Sequence, residues 1–350
     1  MSVRVLVTAA GGALAPLNIR LMKESRRHDV WVAGVDTRPD AAGRYFADAF
    51  AVVPQGDAPG YVEAIAALVE QHGIDLVLPW SDEEALALAA DRAVVEDKGA
   101  VLACAPHETL EIMTDKAKTY DRLEAAGIAT PDWSLAAGPD ALAAAVDRFA
   151  RDGREFAVKP LVARGNRGTI VVRNDVEGAQ PYLASREWHM DAGTFKADYL
   201  ASVERALPAM VMERLFPPAY DIDVLAREGE VLRVMPRRRL NPAGVPFTGG
   251  VLAPDQPALI DLAGAVTQAL SVSWLYDYDV MTDAEGAPLV IELNPRPSGS
   301  IAAAILAGVP FYEDLISLAR GEPLPAIAMP DPVAVVPFMD CRLVPVKALP

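Results

Sequence analysis

Through the first hundred or so residues, short apolar runs alternate with longer stretches whose apolar residues recur at helical spacing. Residues 3–8, 30–36, 49–54, 75–79 and 100–104 read as strands, with 61–71 and 82–97 as helices between them. Asp82 and Glu83 open the later helix, where a helix N-terminus favours negative charge. Strand and helix in turn predict an α/β domain on a parallel, doubly wound sheet. After the first strand the chain runs Thr8-Ala9-Ala10-Gly11-Gly12-Ala13, without the full G-x-G-x-x-G spacing of a dinucleotide site, and Asp36 closes the second strand. We read this as a tight strand-to-helix turn with Asp36 capping a loop, so the sheet is expected to be a platform.

Past Met113 the pattern changes. Thr114-Asp115-Lys116 opens a helical stretch that ends at Ala126 and Gly127, ahead of Pro131. Residues 156–159, 210–215, and 222–226 with 231–235 around Glu228-Gly229-Glu230 then read as strands of a mixed, mainly antiparallel α+β region. The expected division is 1–112, 113–210, 211–325 and a proline-rich tail at 326–350.

Charge and composition narrow the function. With 32 basic against 48 acidic residues the formal charge is −16, which repels phosphate backbones and anionic lipid surfaces. Neither nucleic acid nor membrane is an expected partner, and small molecules are. The apolar run after the first arginine is too short for a signal peptide, and no stretch approaches the roughly 18 apolar residues of a membrane helix. Cys104 and Cys341 stand far apart without ligand partners, which fits a reduced, cytoplasmic setting. His28, His72, His107 and His189 are scattered, so no nucleophilic triad is legible.

The most informative stretch is Tyr276-Asp277-Tyr278-Asp279-Val280-Met281, followed after a glycine turn by Leu289-Val290-Ile291-Glu292-Leu293-Asn294-Pro295-Arg296-Pro297. If Glu285-Gly286 is the two-residue turn of a hairpin, Asp279 falls opposite Glu292, and period two puts Asn294 on the same face. Two carboxylates and an amide oxygen are hard donors suited to Mg²⁺, which takes one or two carboxylates and completes its shell with water and phosphate oxygens. A shared carboxylate would allow two ions.

The run from Glu292 to Ser300, with its acidic strand upstream, resembles the metal-binding end of ATP-grasp enzymes, nearest the carbamoyl-phosphate synthase-like branch. The likeness extends over about residues 3–322, since Thr114 to Tyr120 matches the D-K-x-x-x-Y helix that leads into that fold. It implies a pre-ATP-grasp, Rossmann-like domain, then an ATP-grasp fold of two subdomains, with ATP and Mg²⁺ as cofactors and Mn²⁺ as a substitute ion. By resemblance, Lys116 and Lys159 contact nucleotide phosphates. The loop holding Arg164, Gly165 and Gly168 covers the triphosphate, its glycines letting backbone N–H groups approach the oxygens. Glu213, Arg214 and Leu215 lie on the strand beside the adenine. The family's ribose-binding Glu falls on Ala219 here, leaving Asp221 or Asp223 as candidates. Arg237 is assigned to phosphate or substrate carboxylate and Arg296 to the charge on the transferred phosphoryl group; only two of three consecutive arginines can face inward, so Arg238 and Arg239 stay open between site and solvent.

The implied activity is an ADP-forming ligase that activates a small-molecule carboxylate as an acyl phosphate for an amine or other nucleophile. A small-molecule kinase and a nucleotide-binding protein without turnover are the alternatives. Many such enzymes dimerise, so a homodimer is allowed.

Overall fold

The computed structural model describes residues 2–161, 168–181, 187–240, 249–338, 340–346 and 349. Strands β1 (Val3–Val7), β2 (Val30–Asp36), β3 (Ala49–Val52), β4 (Leu76–Leu78) and β5 (Val101–Leu102) pair in parallel in the order β3-β2-β1-β4-β5. Helices α1 (Ala15–Lys23), α2 (Tyr61–His72), α3 (Asp82–Ala90) and α4 (Arg92–Glu96) accompany them. The single helix expected over 82–97 is two, because the backbone leaves helical geometry at Asp91.

Helices α5 (His107–Thr114) and α6 (Lys116–Ala125) lead out of this domain. The Asp115 carboxylate caps α6 by accepting the N–H groups of Ala117 and Lys118, which fixes Lys116 as the first residue of the helix.

A second sheet contains β6 (Trp133–Ala136), β7 (Phe156–Pro160), β8 (Ile170–Val172), β9 (Ala179–Pro181), β10 (Trp188–Met190) and β11 (Ala209–Glu213), ordered β6-β11-β7-β8-β10-β9. Helix α7 (Pro139–Arg151) and the short α8 (Ala192–Thr194) and α9 (Leu200–Glu204) complete it. Phe149, Phe156, Met190, Phe195 and Val211 form a core that belongs to this unit alone.

The third sheet runs β16-β15-β12-β13-β14-β17, from β12 (Phe216–Arg227), β13 (Glu230–Arg239), β14 (Gly250–Leu252), β15 (Trp274–Thr282), β16 (Pro288–Asn294) and β17 (Val333–Val335). Glu228 and Gly229, both at positive φ, make the tight turn between β12 and β13. β11 thus sits in the second sheet although the sequence division cut near Met210, and β17, inside the expected tail, adds an edge strand to β14.

Helices α10 (Pro257–Leu270), α11 (Ile301–Leu306) and α12 (Phe311–Ala319) flank the third sheet. Two cores join it to the first: one runs from Leu6 and Ile65 through Met113 and Tyr120 to Tyr276 and Leu293, the other from Val5 and Ile19 to Phe311, Leu315 and Leu275. On β15 the even positions go inward, Tyr276 sharing a 2.6 Å hydroxyl contact with Thr267 of α10. Asp277, Asp279 and Met281 therefore face the other way.

Candidate active site

Four antiparallel strands place a polar band across one face of the third sheet. In the central row Glu292 lies opposite Asp279, Asp279 opposite Asp221, and Asp221 opposite Arg237. In the next row Asn294 faces Asp277, Asp277 faces Asp223, and Asp223 faces Met235.

The Asp279–Glu292 pairing was expected, but the turn that was to set it is not the one present. Thr282 pairs with Pro288, so five residues connect the strands, and the register shifts at a bulge where Ile291 is the extra residue. The buried Tyr120 hydroxyl donates to the Ile291 carbonyl at 3.1 Å, tying the bulge to α6.

Cations meet these acids from three parts of the chain. Lys116 Nζ is 3.3 Å from Glu292 Oε2. Arg239 bridges Asp221 and Asp279, 2.7 Å from Asp279 Oδ1, and Arg237 pairs with Asp221 and contacts Ser300. Arg296 reaches Asp277 at 3.0 Å, Asn294 Oδ1 at 3.2 Å and, across the domain boundary, Asp82 at 3.1 Å. Strand alternation puts Arg239 on the inner face with Arg237 and leaves Arg238 exposed, although both Arg238 and Arg239 border the cleft.

Burial makes the acids reluctant to ionise. It pushes Asp279 up to about 7 against the opposing pull of Arg239, with Asp221 and Glu292 reinforcing it. Asp223 also rises to about 7 through burial, partly offset by a hydrogen bond from Ser298, and its Oδ1 has no hydrogen-bond partner. Asp277 is raised well above the usual range by burial, although Arg296 favours its charge. Burial holds the Lys159 ammonium below its ordinary value, opposed by Glu292 and reinforced by Lys116.

Between the second and third sheets lies a cleft of about 500 Å³. Ala157 and Lys159 wall one side, Met281 and Ile291 the other, with Met212 to Leu215 at the back. Glu213 and Arg214 turn their side chains to scaffold duties: the Glu213 carboxylate accepts the Asp132 N–H at 2.8 Å and pairs with Arg154 at 3.2 Å, while Arg214 pairs with Glu155. The Arg214 N–H is also used, by the Glu155 carbonyl at 3.2 Å. Asp221, a candidate for the ribose, is not among the residues lining the cleft and is held by Arg237 and Arg239; Ala219 does line it. Arg164 and Gly165 lie outside the described residues, and Gly168 takes a positive φ beside Pro160.

Sequence reasoning named Asp277 without assigning it a role and missed Asp82 as the partner of Arg296. Period two from Asp279 would have put Asp277 on the same face. No local signal links position 82 to position 296. In the first domain the Asp36 carboxylate accepts the Gly11 N–H at 2.6 Å, the loop cap expected of it, and a Cβ at Gly11 would meet that carboxylate at 2.7 Å.

Among the described residues no three His, Cys, Asp or Glu side chains converge as a ready metal cage. The donor set still fits Mg²⁺. Asp279 and Glu292 are hard oxygens from directly opposed positions, in a row whose acids are otherwise balanced only by arginine and lysine, and phosphate oxygens commonly complete such a site.

Residues 205–341 match the family described as ATP-grasp in the biosynthetic pathway with Ter operon, and residues 5–103 match the PylC-like N-terminal domain. The chain thus carries an ATP-grasp domain behind a PylC-like N-terminal domain. Its fold resembles that of N5-carboxyaminoimidazole synthetase from Staphylococcus aureus complexed with ADP, at TM-score 0.71 and 13% identity over 95% of this chain and 82% of that one. The biotin carboxylase domain of Hydrogenobacter thermophilus 2-oxoglutarate carboxylase, a dimer solved with MgADP, ADP and bicarbonate, gives 0.67 and 16% over 92% and 70%. The L-amino acid ligase from Bacillus licheniformis gives 0.64 and 14% over 91% and 74%. At these identities the likeness is one of fold. No protein of curated function matches this chain by sequence. No described helix is long and apolar enough to cross a membrane.

Proposed function

We propose that this ATP-grasp chain is an ADP-forming ligase that activates a small-molecule carboxylate with ATP and passes the acyl group to an amine or another nucleophile. The observation that carries the reading is Asp279, which lines the cleft together with Lys159, directly opposite Glu292, against which Lys116 sits from α6. The neighbours in fold, solved with ADP or MgADP, support a nucleotide and magnesium in such a cleft.

Asp279 and Glu292 would hold Mg²⁺, with Asn294 one pair further along the face. That ion, when bound, supplies a Lewis acid to the phosphoryl oxygens. The base lies between Met281 and Ile291 on one wall and Ala157 on the other, against backbone from Met212 to Leu215. Lys159 and Lys116 reach the phosphates as point charges. Arg296, clamped on three sides, presents a guanidinium beside the metal row to offset the charge that grows on the transferred group. The carboxylate attacks the terminal phosphorus and ADP leaves; the incoming nucleophile then attacks the acyl carbon of the acyl phosphate, and inorganic phosphate departs as the C–O bond to it breaks.

Purified protein with ATP and Mg²⁺, screened against panels of carboxylates with and without amines, should release phosphate only when both substrates are present. ADP without phosphate would make it a kinase. Nucleotide binding without ADP under every pairing would leave a binding protein.

A further inference from the structure

Resting on that ligase reading, we propose that Arg239 is an exchangeable counter-ion: it neutralises Asp279 while the cleft is empty and moves to the terminal phosphates of an arriving nucleotide, freeing Asp279 for a divalent cation.

The two inward arginines of β13 are not equivalent. Arg237 has a side chain only 6% exposed, pairs with Asp221, and does not line the cleft. Arg239 has a side chain 26% exposed, lines the cleft, and spans from Asp221 to Asp279. When Arg239 leaves, Asp221 keeps Arg237. Asp279 is left beside Glu292, its cross-strand neighbour, with only the longer-range charges of Lys159 and Arg296 to offset it, and a buried carboxylate so thinly compensated calls for another cation. The planar guanidinium binds phosphate as readily as carboxylate, so the exchange preserves its pairing. Metal and nucleotide therefore bind synergistically, each raising the other's affinity by the same factor.

The experiment measures Mn²⁺ binding by electron paramagnetic resonance on the full chain, with and without the non-hydrolysable analogue AMP-PNP, at pH 8.5 so that protons compete little for Asp279. Wild type should bind Mn²⁺ weakly alone and much more tightly with AMP-PNP. Arg239→Gln should bind Mn²⁺ alone about tenfold or more tightly than wild type, as removal of a unit charge at this range implies, and should lose a comparable part of the coupling. Arg239→Lys, which keeps the charge, should restore most of the wild-type behaviour. Unchanged or weaker nucleotide-free binding in Arg239→Gln, with wild type still taking up Mn²⁺ alongside AMP-PNP, would overturn the exchange and leave the ligase reading standing. Wild type that binds neither would overturn both.

Discussion

Tyr120→Phe tests whether the bulge at Ile291 is held in place from outside its own hairpin. The substitution removes one hydroxyl and little volume, and the ring keeps its edge contact with Trp133 at a centroid distance of 5.7 Å. The loss is confined to the hydrogen bond into the Ile291 carbonyl. A buried bond of this kind contributes about 1 kcal/mol net, and leaving its acceptor unsatisfied costs about 1–3 kcal/mol. For a chain of 350 residues the unfolding entropy converts each kcal/mol into about 1–2 °C of melting temperature. A fall of about 2–4 °C is expected by calorimetry. The bulge also sets the register that puts Glu292 opposite Asp279, so the Mg²⁺ concentration for half-maximal turnover should rise several-fold, with KM for ATP at saturating Mg²⁺ changing less. A variant that melts with wild type and shows the same Mg²⁺ dependence would refute the link between α6 and the metal row.

Three further outcomes follow from the same geometry. Glu292→Gln should abolish phosphate release while circular dichroism stays unchanged, since the amide keeps the side chain's shape and its oxygen can still accept from Lys116; retained turnover would reject its metal role. Asp82→Asn should lower kcat by about ten- to a hundredfold with KM for ATP nearly constant, because Arg296 loses its clamp from the first domain; a change in KM alone would contradict this. The Asp223 carboxyl, carried from an ordinary value near 4 up to about 7, binds its proton in the folded state and loses it on unfolding between those limits. Its contribution to stability is therefore present below about pH 4 and fades as pH rises to about 7, by up to about 4 kcal/mol at 1.36 kcal/mol per pKa unit. Asp223→Asn should remove that slope from urea-unfolding free energies measured between pH 5 and 8, and an unchanged slope would count against the buried-acid account.

Much of the fold could be read from periodicity. The five strands of the first sheet and the helix beginning at Lys116 are set by local apolar spacing and a capping aspartate, which a linear chain displays directly. The face shared by Asp279, Glu292 and Asn294 was legible for the same reason: period two holds wherever a strand does. The bulge was not, because Ile291 differs in no composition from its neighbours and is pinned by a hydroxyl 171 positions away. β17 was hidden in proline-rich sequence, its three residues being a strand only because β14 offers an open edge. The division of labour between Arg237 and Arg239 depends on how far each sits from the mouth of the cleft, which no spacing rule encodes.

The arrangement of the cores makes the two lysines, similar as sequence signals, unlike in practice. Lys116 projects from α6, whose Tyr120 and Leu123 are embedded in the core common to the first and third sheets, and so travels with the carboxylates it touches. Lys159 stands on a strand of the second sheet, whose Phe149–Phe156–Phe195 interior is its own. The two lysines are thus anchored in different parts of the fold, one on the second sheet and one on the helix packed under the carboxylates, so a substitution that loosens one anchor leaves the other lysine's position intact.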